Sequence, residues 1–175
     1  RAMTGTVNCA NAAVDASIGG KTGINVGGKN LVGVFWQPSR VAIGVDALAT
    51  LEPPVYREGL AETVKHGYLA DPVLLGMLQN DGPAAEPLEM VVRSVAVKVG
   101  VVSADERETG IRAHLNYGHT IGHAIEIAHG LSHGEAVAIG MVAEAAIAAK
   151  RLGFDAVDEH RATIAGLGLP TALDE

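Results

Sequence analysis

Four of the chain's seven histidines fall between His119 and His133, and three of them lie in the stretch Asn116-Tyr117-Gly118-His119-Thr120-Ile121-Gly122-His123-Ala124-Ile125-Glu126 and the Ser132-His133-Gly134-Glu135 that follows. Imidazole is the commonest protein ligand for zinc-like metals and a proton carrier near neutral pH. The apolar spacing of this segment reads as a helix, on which His119 and His123 share a face. On that reading Asn116, His119, His123 and Glu126 form one polar stripe, while Ile121, Ala124, Ile125 and Ala128 supply apolar surface. Such a stripe on a helix fit for a core suggests a lined cavity. A metal set of Glu62, His119 and His133 would combine two imidazoles and a carboxylate with open positions for water or substrate, as catalytic zinc sites do. Spacing alone does not select these three, and polar histidines at a helix surface are an equal alternative. His66, His114, His129 and His160 are assigned to that surface reading.

Other residues could assist. Glu62 and Lys65 lie on one helix face, where an ordinary surface ion pair competes with a buried pair facing an anionic or hydroxylated substrate. Arg112 and Asn116, one helical turn apart, continue the histidine stripe, and with Lys98 they could grip carboxylate or phosphate, the alternative being surface solvation. Gly19-Gly20-Lys21-Thr22 looks like the end of a phosphate-binding loop, but Asp15 stands where such a loop needs glycine, so an ATP-type P-loop is rejected. A looser glycine-rich phosphate cradle or a flexible turn remains. Asp105-Glu106-Arg107-Glu108 reads as a solvated loop or a structural charge network.

The elements that must position these groups are mostly helical. Residues 1–30 are rich in Gly, Ala and Asn and read as turns. Residues 31–36 and 41–45 read as strands around Gln37-Pro38-Ser39-Arg40. Pro53-Pro54 marks a boundary, giving two units at 1–52 and 53–175. Helices are expected over 57–69, from Asp71-Pro72 to a break at Asp81-Gly82-Pro83, and over 89–102, 115–129, 134–152 and 159–166. Nearly half the 175 residues are hydrophobic and only 3% are aromatic, so the core must be built from Ala, Val, Leu and Ile. The net charge of −7, without a basic run, argues against a nucleic-acid partner. No apolar run approaches the roughly 20 residues that span a membrane, and no signal peptide is evident. One cysteine, Cys9, fits a reducing, cytoplasmic setting. The Arg start suggests a partial chain.

Six blocks, in order, carry a family resemblance: Val14-Asp15-Ala16-Ser17-Ile18-Gly19-Gly20-Lys21-Thr22-Gly23; Gly28-Lys29-Asn30-Leu31-Val32-Gly33; Gly59-Leu60-Ala61-Glu62 through Lys65; Ser103-Ala104-Asp105-Glu106-Arg107-Glu108; Leu115-Asn116-Tyr117-Gly118-His119 through His123; and His133-Gly134-Glu135-Ala136-Val137. Together they resemble the 3-dehydroquinate synthases of the sugar-phosphate cyclase superfamily. The resemblance implies a mainly α fold, the helical metal-binding carboxy-terminal domain of these enzymes, preceded by a small β remnant of the α/β nucleotide-binding domain. It implies one zinc or cobalt ion on Glu62, His119 and His133. It implies a substrate held by Lys65, Lys98, Arg112, Asn116 and His123, with Asp15, Lys21 and Asn30 nearby, and NAD touched by Lys21, Lys29 and Ala47, Leu48, Ala49 and Thr50. The implied reaction converts 3-deoxy-D-arabino-heptulosonate 7-phosphate to 3-dehydroquinate and phosphate, in a cytoplasmic homodimer of the shikimate pathway.

The chain departs from the family in lacking most of the dinucleotide-binding half, in carrying Val7-Asn8-Cys9 where a Pro-Thr-Thr contacts NAD, and in stopping at Glu175 before a basic substrate-binding segment. Alone, it is expected to bind NAD poorly and turn over little. The alternatives are a related cyclase that makes deoxyinosose or valiolone rings, and a truncated domain that binds metal without catalysis.

Overall fold

The computed structural model describes residues 41–173, together with two strands at 21–24 and 32–35. The strands, β1 (Lys21–Ile24) and β2 (Val32–Phe35), form an antiparallel pair with Lys21 opposite Phe35 and Ile24 opposite Val32. The expected strand at 41–45 is absent: residues 41–44 are irregular and a 3-10 turn follows at Val45–Thr50. That short segment is largely exposed, so its β-branched residues have no sheet face to bury.

Six α-helices follow: α1 (Pro53–Ala70), α2 (Pro72–Asp81), α3 (Pro87–Ala104), α4 (His119–His129), α5 (His133–Leu152) and α6 (Val157–Gly166). Proline in the first turn opens each of the first three, where its missing N–H costs nothing. The Asp71 carboxylate caps α2 by accepting from the Val73 and Leu74 N–H groups at 3.0 and 2.9 Å. Glu86 caps α3 by accepting from Leu88 and Glu89 at 3.1 and 2.6 Å. Ser132 and Glu135 form a reciprocal capping box at the start of α5. α5 is central, packing on α4, α1 and α6, while α1 also meets α2 and α3. Leu60, Val64, Leu74, Val137, Met141 and Ile164 lie at the heart of the shared core.

The histidine helix begins later than its periodicity suggests. Residues 111–116 form a 3-10 turn, and Gly118, at φ +77°, breaks the chain before α4 starts at His119. Asn116 and Arg112 therefore precede the helix and do not extend its stripe. The surface assignment also fails for His66 and His160, which are 2% and 6% exposed. His66 sits between α1 and α3 with Nδ1 2.7 Å from Ser94 Oγ, and His160 stacks on Tyr68 at 3.8 Å between ring centres.

Candidate metal centre

Three helices each bring one group to a common point. Glu62 comes from the buried face of α1, His119 is the first residue of α4, and His133 is the first of α5. Glu62 Oε1 lies 3.0 Å from His119 Nε2 and 3.6 Å from His133 Nε2. The other carboxylate oxygen, Oε2, accepts from Lys65 Nζ at 2.5 Å, and Lys65 is 1% exposed.

The remaining ring nitrogens are committed elsewhere. His119 Nδ1 donates to the Tyr117 carbonyl at 3.1 Å, and His133 Nδ1 donates to Glu126 Oε2 at 3.1 Å. A neutral imidazole that donates through Nδ1 presents a lone pair at Nε2. Three lone pairs, from Glu62 Oε1 and the two Nε2 atoms, thus face one another. Although His119 Nε2 is only 3.0 Å away, Glu62 Oε1 is buried without a hydrogen bond of acceptable angle. Ligands about 2.0–2.1 Å from a tetrahedral zinc ion are about 3.3 Å apart, and 3.0 and 3.6 Å bracket that spacing. The donor set fits a zinc-like cation, and the carboxylate and carbonyl behind the imidazoles fix the tautomers such a site requires.

Electrostatics agree with the geometry. Burial pushes the Glu62 carboxyl up, but the Lys65 ammonium pulls it the other way, and the carboxyl lies well below its ordinary value, so it is ionised. His119 and His133 add to this only when Nε2 carries a proton, the form a metal would displace. The contact with Glu62 raises His133, and Glu126 adds to the effect against partial burial.

Close approach of backbones makes the convergence possible. A Cβ on Gly140 would stand 2.0 Å from the Gly118 carbonyl oxygen, and one on Gly134 would stand 2.4 Å from the Glu58 carbonyl oxygen. Gly140 therefore seats α4 on α5, and Gly134 seats α5 on α1. Glu144 on α5 completes the seat: its carboxylate accepts from the Gly118 N–H at 2.9 Å and the Ile121 N–H at 3.5 Å, supplying the cap that glycine lacks.

The expected site residues divide into groups. Glu62, Lys65, His119, His123 and His133 come together, with the His123 ring centre 5.3 Å from that of His119 and 5.7 Å from that of His133. Lys98 and Arg112, each 5% exposed, lie close enough to interact electrostatically. Burial and the Arg112 charge push the Lys98 amine down to about 7. Asp105 orders the loop that delivers Arg112 by accepting from the N–H groups of Thr109, Gly110 and Arg112, which pull its carboxyl down to about 2. Asn116 is exposed and donates to Glu108 at 3.2 Å. Ala47, Leu48, Ala49 and Thr50 lie in the 3-10 turn packed on α3. Lys21 has a described backbone position in β1 only, and Asp15, Lys29 and Asn30 lie outside the described residues.

Sequence reasoning did not identify Glu126 as the partner of His133, Glu144 as the cap of α4, or Gly134 and Gly140 as the closest helix contacts. Only Glu126 left a signal, being on the stripe three residues after His123.

Residues 59–175 match the family model "3-dehydroquinate synthase C-terminal", and residues 5–58 match "3-dehydroquinate synthase N-terminal". A curated 3-dehydroquinate synthase from Pseudarthrobacter chlorophenolicus is 48% identical over 90% of this chain and 46% of its own length. One from Thermosynechococcus vestitus is 49% identical over 93% of this chain and 48% of its own length. The chain spans about half the length of the curated relatives it matches. Among solved structures, 2-epi-5-epi-valiolone synthase from Streptomyces hygroscopicus, with NAD+ and Zn2+ bound, aligns at a TM-score of 0.81 and 27% identity, covering 95% of this chain and 50% of that one. A 2-deoxy-scyllo-inosose synthase complexed with carbaglucose-6-phosphate, NAD+ and Co2+ also aligns at 0.81, with 30% identity over 92% of this chain and 48% of that one. The helical fold is that of the carboxy-terminal domain in sugar-phosphate cyclases, and the chain belongs to the 3-dehydroquinate synthase family.

Proposed function

We propose that this chain carries the metal- and substrate-binding half of a 3-dehydroquinate synthase, acting on 3-deoxy-D-arabino-heptulosonate 7-phosphate to release phosphate and form 3-dehydroquinate. The observation that carries the reading is the orphaned Glu62 Oε1 facing two imidazole nitrogens whose opposite ring nitrogens are already committed. Glu62, His119 and His133 hold the divalent ion. When bound, the metal supplies Lewis acidity toward substrate hydroxyls and NAD supplies transient oxidation. Lys65 keeps Glu62 ionised and oriented. Lys98 and Arg112 bind the anionic groups of the substrate, and their partial exclusion from water strengthens that grip. His123, beside both imidazoles of the metal set, moves a proton to or from the bound substrate. Asn116 orients substrate from the 3-10 turn.

Lys21, Lys29 and residues 47–50 belong to the NAD side, with Asp15 and Asn30 near the substrate. Two units, 1–52 and 53–175, are part of the same reading, supported by the proline pair that opens α1. The intact protein is proposed to be a homodimer. A ring-forming cyclase of the valiolone or inosose type is the second reading, favoured by the two structural neighbours. Identities of 48–49% to dehydroquinate synthases against 27–30% to those cyclases favour the first.

The test begins with zinc and cobalt content of the purified chain and of its Glu62→Ala, His119→Ala and His133→Ala variants. One tight equivalent lost in each variant supports the site. Phosphate release is then assayed on the heptulosonate phosphate and on the alternative sugar phosphates, with these helices within a full-length relative. Turnover of an alternative substrate alone overturns the substrate assignment.

A further inference from the structure

A second donor set stands beside the first. Ligand atoms of His123, Glu126 and His133 lie within 4.8 Å of one another, again two imidazoles and a carboxylate. His133 belongs to both sets through opposite nitrogens: Nε2 is 3.6 Å from Glu62 Oε1, and Nδ1 is 3.1 Å from Glu126 Oε2. The two sets differ in exposure. Glu62 and His119 are buried, whereas all three members of the second set are half-buried, and the His133 side chain is 42% exposed.

We propose that His123, Glu126 and His133 form an outer site for a second zinc-like divalent cation. The inner-site assignment rests on the proposed function, and the outer one extends it. Imidazole with carboxylate suits zinc or cobalt over magnesium or calcium. The outer cation takes the place of the proton held between His133 Nδ1 and Glu126 Oε2, which passes to solvent. That exchange, the greater exposure of the ligands and repulsion from an inner cation all weaken the outer site relative to the inner one. Occupancy also has a consequence. His123 is assigned to the substrate, so an outer cation excludes the sugar phosphate, and zinc in excess of one equivalent is inhibitory.

Zinc titration of the 175-residue chain by equilibrium dialysis tests the idea. Two equivalents are expected, the second at least tenfold weaker than the first, with no second equivalent of magnesium. His123→Ala should keep the tight equivalent and lose the weak one, whereas His119→Ala should lose the tight one and keep the weak one. Cadmium-113 NMR of the unmodified chain gives a readout that does not depend on variants folding, and two resonances filling in sequence are expected. A single equivalent with a single resonance, or a weak equivalent that survives His123→Ala, overturns the outer site and leaves the inner one standing. No bound zinc at all overturns both.

Discussion

Gly140→Ala tests whether close helix approach builds the site. The added Cβ would stand 2.0 Å from the Gly118 carbonyl oxygen, against 3.4 Å for ordinary contact, so the two backbones must part by about 1.4 Å along that line. Metal sites tolerate ligand displacements of about 0.2 Å. His119 is the residue after Gly118, so its Nε2 moves with the displaced turn and leaves His133 and Glu62 behind. The clash is backbone on backbone, which no rotamer relieves, and overpacking of this kind costs about 3 kcal/mol. For a chain of 175 residues that corresponds to a fall in Tm of roughly 6–12 °C. The assays are thermal unfolding by circular dichroism and zinc affinity by competition with a chromophoric chelator. Zinc affinity should fall at least a hundredfold. Gly76→Ala is the control, because a Cβ there meets nothing within 4 Å and helix propensity improves. A Gly140→Ala protein with unchanged Tm and zinc affinity would refute the reasoning.

Three further outcomes are expected. Glu126→Ala releases the His133 ring from its tautomer-fixing contact and should weaken zinc binding about 10–100-fold, measured by the same competition. His66 is buried with its ring held neutral, burial pushing it down to about 4 from an ordinary value of 6.5. The unfolded chain therefore takes up this proton first as pH falls, so stability is intact above pH 6.5 and declines by about 3 kcal/mol between pH 6.5 and 4. Urea unfolding across that window should show the slope, and His66→Phe should flatten it. Ser132→Ala removes one half of the capping box at α5 and should cost about 1 kcal/mol in the same urea assay.

Helix identities were legible because apolar period, caps and breakers agree: Asp71-Pro72 and Asp81-Gly82 bound α2 as their chemistry suggests. The start of α4 was not, because Asn116 and His119 are three apart and fit a helical face whether or not a left-handed glycine separates them. The burial of His66 and His160 was hidden for a different reason. Their partners, Ser94 and Tyr68, sit on other helices, and a lone histidine in a sequence does not announce a distant partner. Glu62, His119 and His133 were legible as donors by residue type and through the family blocks, while their spacing depends on Gly134 and Gly140, whose Cβ-free contacts have no periodic signature.

The ion pair between Lys65 and Glu62 has a consequence for the order of assembly. A buried carboxylate without a counter-charge would cost several kcal/mol, and in many small metalloproteins the ion must arrive before the chain can fold. Here the ammonium of Lys65 already neutralises the carboxylate from within the same helix, one turn away. On the proposed metal assignment, the chain should therefore fold without waiting for the ion. A strong chelator should accordingly strip the ion while leaving the helical circular dichroism of the protein intact.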